Sequence, residues 1–236
     1  MLFGERGDDF GQAVELLAQT HRLPAMNGMF NARFWEKDFT PKAGPAAIQT
    51  AASNLLAIVR PALRHLESSR RQANINQHVL EVFLFGARRM ELIGQRMLDG
   101  LEAARLAEPV RERSAELSRL AQVERLLRKN RDAHELMGRQ FAALWLSESK
   151  PYALDWTLGR YTNAVNEYEV LLRKLATARL AAAAGQPLPA ADELGLAAAQ
   201  PLWICNARRE FGCTPFKLDD AHRKETCLPF FQPQPE

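Results

Sequence analysis

Apolar residues recur at alternating steps of three and four through most of the chain, which is the spacing of one face of an α-helix. The clearest series is Leu154, Leu158, Tyr161, Val165, Tyr168, Leu172 and Leu175. These positions form a heptad seam, suited to left-handed packing at about 20° against a partner helix. The series predicts a long helix from Asp155 to about Ala184.

The same spacing predicts four earlier helices. They run from Asp8 or Asp9 to about Leu23, from about Pro45 to the turn at Ser68-Ser69, from about Asn74 to Leu106, and from Pro109 to about Ser149. Because the connections are short, neighbouring helices should be antiparallel. The sequence therefore predicts an all-α fold, an antiparallel bundle of about five long helices with an irregular C-terminal arm.

Several positions refine this prediction. Pro61 should kink the second helix without ending it. The third helix is apolar on most sides and should be central, with Gly86 and Gly94 letting a neighbour approach closely. In the fourth helix the polar segment RKNRDAHE is either a turn around Asn130 or a solvated stretch.

The chain divides by composition into three parts: residues 1–44, the bundle 45–184, and the proline-rich arm 185–236. The first part combines a helix with an irregular segment that is rich in large apolar side chains. These are Met26, Met29, Phe30, Phe34, Trp35 and Phe39. So many apolar groups must pack on something, in this chain or in another.

The last two helices meet at an aromatic junction, FAALWLSESKPYALDWTLGRY. Pro151 ends the first helix there, and Asp155 can cap the second. Trp145 and Tyr161 lie on apolar stripes and should be core residues. Tyr152 and Trp156, nearest the turn, should remain accessible. Together with Trp35 from the N-terminal apolar segment they form a candidate aromatic contact surface.

Composition and charge describe a globular protein without an obvious charged partner. Among 236 residues 47% are apolar and 25% are charged, and the net charge of +3 is too small to indicate nucleic acid or an anionic membrane. No membrane-spanning run and no secretory signal are visible. The three cysteines all follow Pro201, and their odd number favours a reducing cytoplasm.

The candidate chemistry is sparse. The spacing C-x7-C-x8-H-x4-C lacks the close cysteine pair of most zinc sites, so no metal or other cofactor is predicted. The acidic pairs at residues 8–9, 192–193 and 219–220 are better explained as helix starts and solvated surface than as catalytic carboxylates. His134 is in register with Met137 and Phe141, which predicts a hydrogen-bonded histidine at the core edge. No catalytic residue is predicted.

Residues 144–196 resemble the helical region that follows the catalytic barrel in bacterial family 20 β-N-acetylhexosaminidase-like glycoside hydrolases. The matching pieces are Leu144-Trp145-Leu146, Lys150-Pro151-Tyr152, the helix 155–184 and the stretch from Pro189 to Leu194. The stretch LFGERGDDFGQAVELLAQTHRL near the start is similar to the segment that leaves the last barrel strand of that family.

The resemblance implies an accessory role. A barrel needs about 250 residues of its own, so no catalytic residue is carried over, and the expected partner is a barrel-containing hydrolase chain or a second copy of this chain. One alternative is a free-standing interaction module that dimerises through the Leu154–Leu175 seam. A weaker alternative is a hydrolase that acts alone.

Overall fold

The computed structural model describes residues 2–4, 7–23, 34, 44–108, 113–152, 154–191 and 193–196. Within these residues the fold is all-α and contains no strand, as predicted. Five α-helices follow one another: α1 Asp9–Gln19, α2 Pro45–Gln72, α3 Gln77–Ala107, α4 Arg113–Glu148 and α5 Leu154–Ala183. A short 3-10 turn, Thr20–Arg22, extends α1.

Contacts between α2 and α3 show that these two helices are antiparallel. Arg60 donates a hydrogen bond to Gln95 at 2.8 Å, whereas the later Glu67 on α2 accepts from the earlier Arg88 on α3 at 2.5 Å. The same reversal holds for α3 against α4 and for α4 against α5, in the pairs Asp99–Lys129, Phe85–Phe141, Glu124–Arg179 and His134–Tyr168.

The core follows the length of the bundle in three apolar clusters. The central cluster lies between α2, α3, α4 and α5. It includes Leu55, Val59, Ile93, Met97, Met137 and Tyr161. A second cluster joins α3, α4 and α5 beside the end of the described chain, where Leu194 and Leu196 are each 3% exposed. The third joins α1, α2 and α3 around the fully buried Phe3.

The predicted seam on α5 is used inside the chain. Five of its members are at most 7% exposed: Leu154, Tyr161, Tyr168, Leu172 and Leu175. Tyr161 and Tyr168 contact the rings of Phe141 and His134, which belong to α4. The seam therefore joins helices of one molecule, and these five side chains are not available to pair two copies.

The polar segment of α4 is not a turn around Asn130, and it is solvated only in part, with Arg128, Lys129, Asp132 and Glu135 exposed. The helix continues without a break through RKNRDAHE, and Asn130 and His134 are 4% and 0% exposed. They are buried because their hydrogen-bonding partners come from α3, 31 and 38 residues away. As predicted, α2 passes through Pro61 without ending.

Acidic residues at the starts of α5 and α1 do not act as side-chain caps. The helix α5 begins at Leu154, so Asp155 lies inside its first turn. Asp8 occupies the N-cap position of α1 but makes no side-chain cap hydrogen bond. The carboxylate of Asp9 accepts hydrogen bonds from His65 Nδ1 at 2.8 Å and Ser68 Oγ at 2.6 Å on α2. These bonds lower the pKa of Asp9. Asp9 thus fixes α1 on α2 instead of capping its own helix.

Only one of the two glycines predicted to allow close packing does so. A Cβ on Gly94 would lie 2.8 Å from Leu56 Cγ and 3.3 Å from the Ala52 carbonyl oxygen. A Cβ on Gly86 would meet nothing within 4 Å. The absence of a side chain at Gly94 therefore allows α2 and α3 to approach closely at this point.

We expect Gly94→Ala to lower the free energy of unfolding by about 1–3 kcal/mol, because the added methyl group overpacks the α2–α3 contact. The matched control is Gly86→Ala on the same helix, which should raise it by about 1 kcal/mol through helix propensity alone. Urea unfolding followed by circular dichroism measures both. Equal effects of the two substitutions would contradict the close approach at Gly94.

Candidate functional site

The corner between α4 and α5 is held by hydrogen bonds from its own residues. The indole N–H of Trp145 donates to the Lys150 carbonyl oxygen at 2.8 Å. The backbone N–H of Ser149 donates to the Trp145 carbonyl oxygen, and that of Leu154 to the Pro151 carbonyl oxygen. These bonds fix the chain direction between Glu148, where α4 ends, and Leu154, where α5 begins.

This corner presents large apolar side chains to solvent. Tyr152 is 83% exposed, Leu146 52% and Trp156 46%. The predicted accessibility of Tyr152 and Trp156 is thus what the structure shows. Trp35, the third residue of the predicted contact surface, lies outside the described residues. We name Leu146, Tyr152 and Trp156 the corner surface.

Aromatic rings connect the corner to the middle of the bundle. The ring centroids of Trp145 and Phe141 are 5.7 Å apart, those of Phe141 and Tyr161 6.0 Å, and those of Tyr161 and Phe34 5.9 Å. Tyr161 is 3% exposed, in agreement with its predicted place in the core. Gly138 allows α4 to pack closely against Tyr161, because a Cβ at position 138 would lie 3.0 Å from Tyr161 Cβ.

A buried polar cluster lies further along α3 and α4. It consists of Arg96, Asp99, Asn130 and His134, all at most 6% exposed. Arg96 Nη1 donates a hydrogen bond to the Phe34 carbonyl oxygen at 2.6 Å and lies 3.3 Å from His134 Nε2. The Phe34 ring, 1% exposed, packs near His134 with the centroids 5.6 Å apart.

The hydrogen bonds determine the state of His134. Its Nδ1 lies 2.7 Å from the Asn130 carbonyl oxygen, which can only accept, so Nδ1 carries the hydrogen. Arginine can only donate, so Nε2 accepts from Arg96 and the ring is neutral. Burial, followed by the charge of Arg96, lowers the pKa of His134 to about 3.

Asp99 supplies the negative charge of the cluster. Its carboxylate accepts from Gln95 at 2.8 Å, from Lys129 at 2.9 Å and from the side-chain amide of Asn130 at 3.0 Å. Tyr168 borders the same region, and burial raises the pKa of its hydroxyl to about 12. The phenol is therefore protonated at neutral pH and can donate.

This arrangement suits a structural role. Both ring nitrogens of His134 are engaged in hydrogen bonds and the ring is inaccessible, so it cannot take a proton from a substrate at the surface. The cavity beside the cluster is only about 20 Å³, too small for a substrate. In the described part of the chain no group of histidine, cysteine, aspartate or glutamate is placed to hold a metal ion.

The remaining candidates from the sequence lie largely outside the described residues. These are Cys205, Cys213, His222, Cys227, Asp192 and the pair at 219–220. None of the described helices has an apolar stretch long enough to cross a lipid bilayer.

Comparison of the chain with protein-family models, with curated proteins and with solved structures yields no match.

The depressed pKa of His134 predicts a loss of stability in mild acid. In the unfolded chain this histidine takes up a proton below about pH 6.5, whereas the folded chain leaves it neutral down to about pH 3. Stability is therefore fully present above about pH 6.5 and falls as the pH drops through that window. Between pH 7.5 and 5.5 the loss from this residue is about 1.4 kcal/mol.

Urea unfolding at these two pH values, compared with His134→Gln, measures this loss. Glutamine keeps a donor and an acceptor but does not titrate, so the variant should lack the pH-dependent part even if it is less stable throughout. His78→Gln, at an exposed position on α3, is the control and should behave like the unchanged protein. A His134→Gln variant with the full pH dependence would show that His134 does not carry it.

Proposed function

We propose that this chain is a non-catalytic helical accessory module that docks through the corner surface onto a carbohydrate-hydrolase domain. The observation that carries the proposal is the 83% exposure of Tyr152 on a corner whose backbone is fixed. Leu146 and Trp156, which are also exposed, lie on the two helix ends that flank Tyr152. Aromatic side chains on a rigid support are the usual anchors of protein interfaces.

Rigidity at the corner favours binding. Ordering a loop and its side chains on association costs about 0.5–1.5 kcal/mol for each immobilised side chain. Here the Trp145–Lys150 hydrogen bond and the aromatic contacts from Trp145 to Tyr161 already fix the backbone. A partner would therefore meet a preformed surface, and most of the apolar burial would contribute to affinity.

The class of partner comes from the resemblance. Lys150-Pro151-Tyr152 is one of the pieces by which the chain resembles the region after the barrel of family 20 β-N-acetylhexosaminidase-like hydrolases. Tyr152 belongs to this piece and is also the most exposed large side chain of the corner surface. This coincidence supports a barrel domain of that class as the partner. The cysteine content of the sequence supports a reducing cytoplasm as the compartment.

The test is a binding titration between the purified chain and a family 20 barrel domain encoded beside it, followed by light scattering and calorimetry. We expect a complex of one copy of each. Tyr152→Ala and Trp156→Ala should each weaken it by tenfold or more, since truncating an interface anchor costs about 2 kcal/mol. Both side chains are exposed, so the variants should fold normally.

The control is Leu180→Ala. Leu180 is 74% exposed on the same helix, 24 residues or roughly 36 Å from Trp156, and its removal should leave the affinity unchanged. Two other results would contradict the proposal. One is a stable dimer of this chain alone that is lost in Tyr152→Ala, and the other is hydrolysis of an aryl N-acetylhexosaminide by the purified chain.

A further inference from the structure

A small cavity lies against the buried polar cluster, where α3, α4 and α5 meet the last described residues. Its volume is about 20 Å³. Polar walls come from Arg96, Asp99, Asn130 and Tyr168, and the apolar walls include Leu196. Leu196 is 3% exposed and helps to cover the cavity.

One of these residues, Asn130, carries an unsatisfied polar atom. The side-chain amide nitrogen of Asn130 donates both of its hydrogens, to Asp99 Oδ2 at 3.0 Å and to the Leu126 carbonyl oxygen at 2.9 Å. Its oxygen, Oδ1, is buried and has no hydrogen-bond partner among the described residues. An unpaired buried acceptor costs about 1–3 kcal/mol, so a donor in the cavity would be strongly favoured.

The size and chemistry of the cavity select the ligand. A water molecule needs at least about 10–15 Å³ and two to four polar partners, and both conditions are met. Larger polar molecules do not fit, and an apolar gas would leave the Asn130 oxygen unsatisfied. A metal cation is disfavoured because Lys129 and Arg96 already place two positive charges beside one carboxylate.

We propose that this cavity binds a single long-lived water molecule. The water donates one hydrogen to Asn130 Oδ1 and accepts a hydrogen bond from the Tyr168 hydroxyl. It thereby links α4 to α5 at the level where His134 and Arg96 link α4 to α3. The bound water is an integral part of the buried polar cluster and does not depend on the proposed partner.

A high-resolution crystal structure of the full chain tests the proposal directly. We expect a density peak at about 2.6–3.2 Å from both Asn130 Oδ1 and Tyr168 Oη. An empty cavity would overturn the proposal. An Asn130 side chain turned so that Oδ1 meets a protein donor would also overturn it.

A solution measurement makes the test independent of crystal growth. Oxygen-17 relaxation dispersion counts water molecules that stay bound much longer than surface water. Tyr168→Phe should lose the signal of one water, because it removes one of the two groups proposed to hold the water, and a single hydrogen bond to Asn130 holds it too weakly. Tyr161→Phe is the matched control: it removes the same hydroxyl from a buried tyrosine of α5 that does not line the cavity, and should keep the signal. Equal signals in all three proteins would contradict the proposal.

Discussion

The burial of Arg96 is the constraint on which the rest of the bundle depends. A charge that is 3% exposed is tolerated only if its donors are matched by acceptors in fixed positions. The Phe34 carbonyl oxygen and His134 Nε2 provide two such acceptors, one from the N-terminal part of the chain and one from α4. Because Arg96 belongs to α3, these bonds determine how α3 packs against α4 and against Phe34. Removing one acceptor would leave part of a buried charge unsatisfied, at a cost of about 1–3 kcal/mol or more.

The neutral state of His134 follows from this arrangement. A protonated ring would turn Nε2 into a donor facing the donor of Arg96, with two positive charges close together. The structure avoids this by directing Nδ1–H to the Asn130 carbonyl oxygen, which leaves Nε2 as an acceptor. On the neighbouring turns of the same helices the contacts are apolar and aromatic. Among them, Phe141 contacts Trp145 at the corner. A rigid corner surface is therefore a consequence of how the middle of the bundle is packed.

The helices could be predicted from the sequence because burial leaves a regular trace in the spacing of apolar residues. The α5 seam is an example, since its predicted face is the face that packs on α4. The buried polar cluster left no such trace. Asn130 stands in a run of charged residues and looks solvated, and its partners lie on α3, far away in sequence. The register of His134 with Met137 predicts a hydrogen-bonded histidine. Its complete burial depends on Arg96 of α3, and the spacing of residues within α4 carries no information about that partner.

Some residues at the ends of helices were predicted correctly and others were not, for a similar reason. The exposure of Tyr152 and Trp156 follows from the local effect of Pro151, whereas the role of Asp9 depends on His65 and Ser68 in another helix. Gly86 and Gly94 have the same spacing signal, yet only Gly94 faces α2 closely. Local rules fix where helices begin and end, and contacts between helices decide what each polar or small residue does.

The most direct test of the central arrangement is nitrogen-15 NMR of the histidine side chains at pH 7 and pH 5. We predict that His134 gives the signals of a neutral ring protonated at Nδ1 at both pH values, with Nε2 shifted as an acceptor of a hydrogen bond. A ring protonated at Nε2, or an imidazolium at pH 5, would contradict the account, because neither state can accept the hydrogen bond from Arg96.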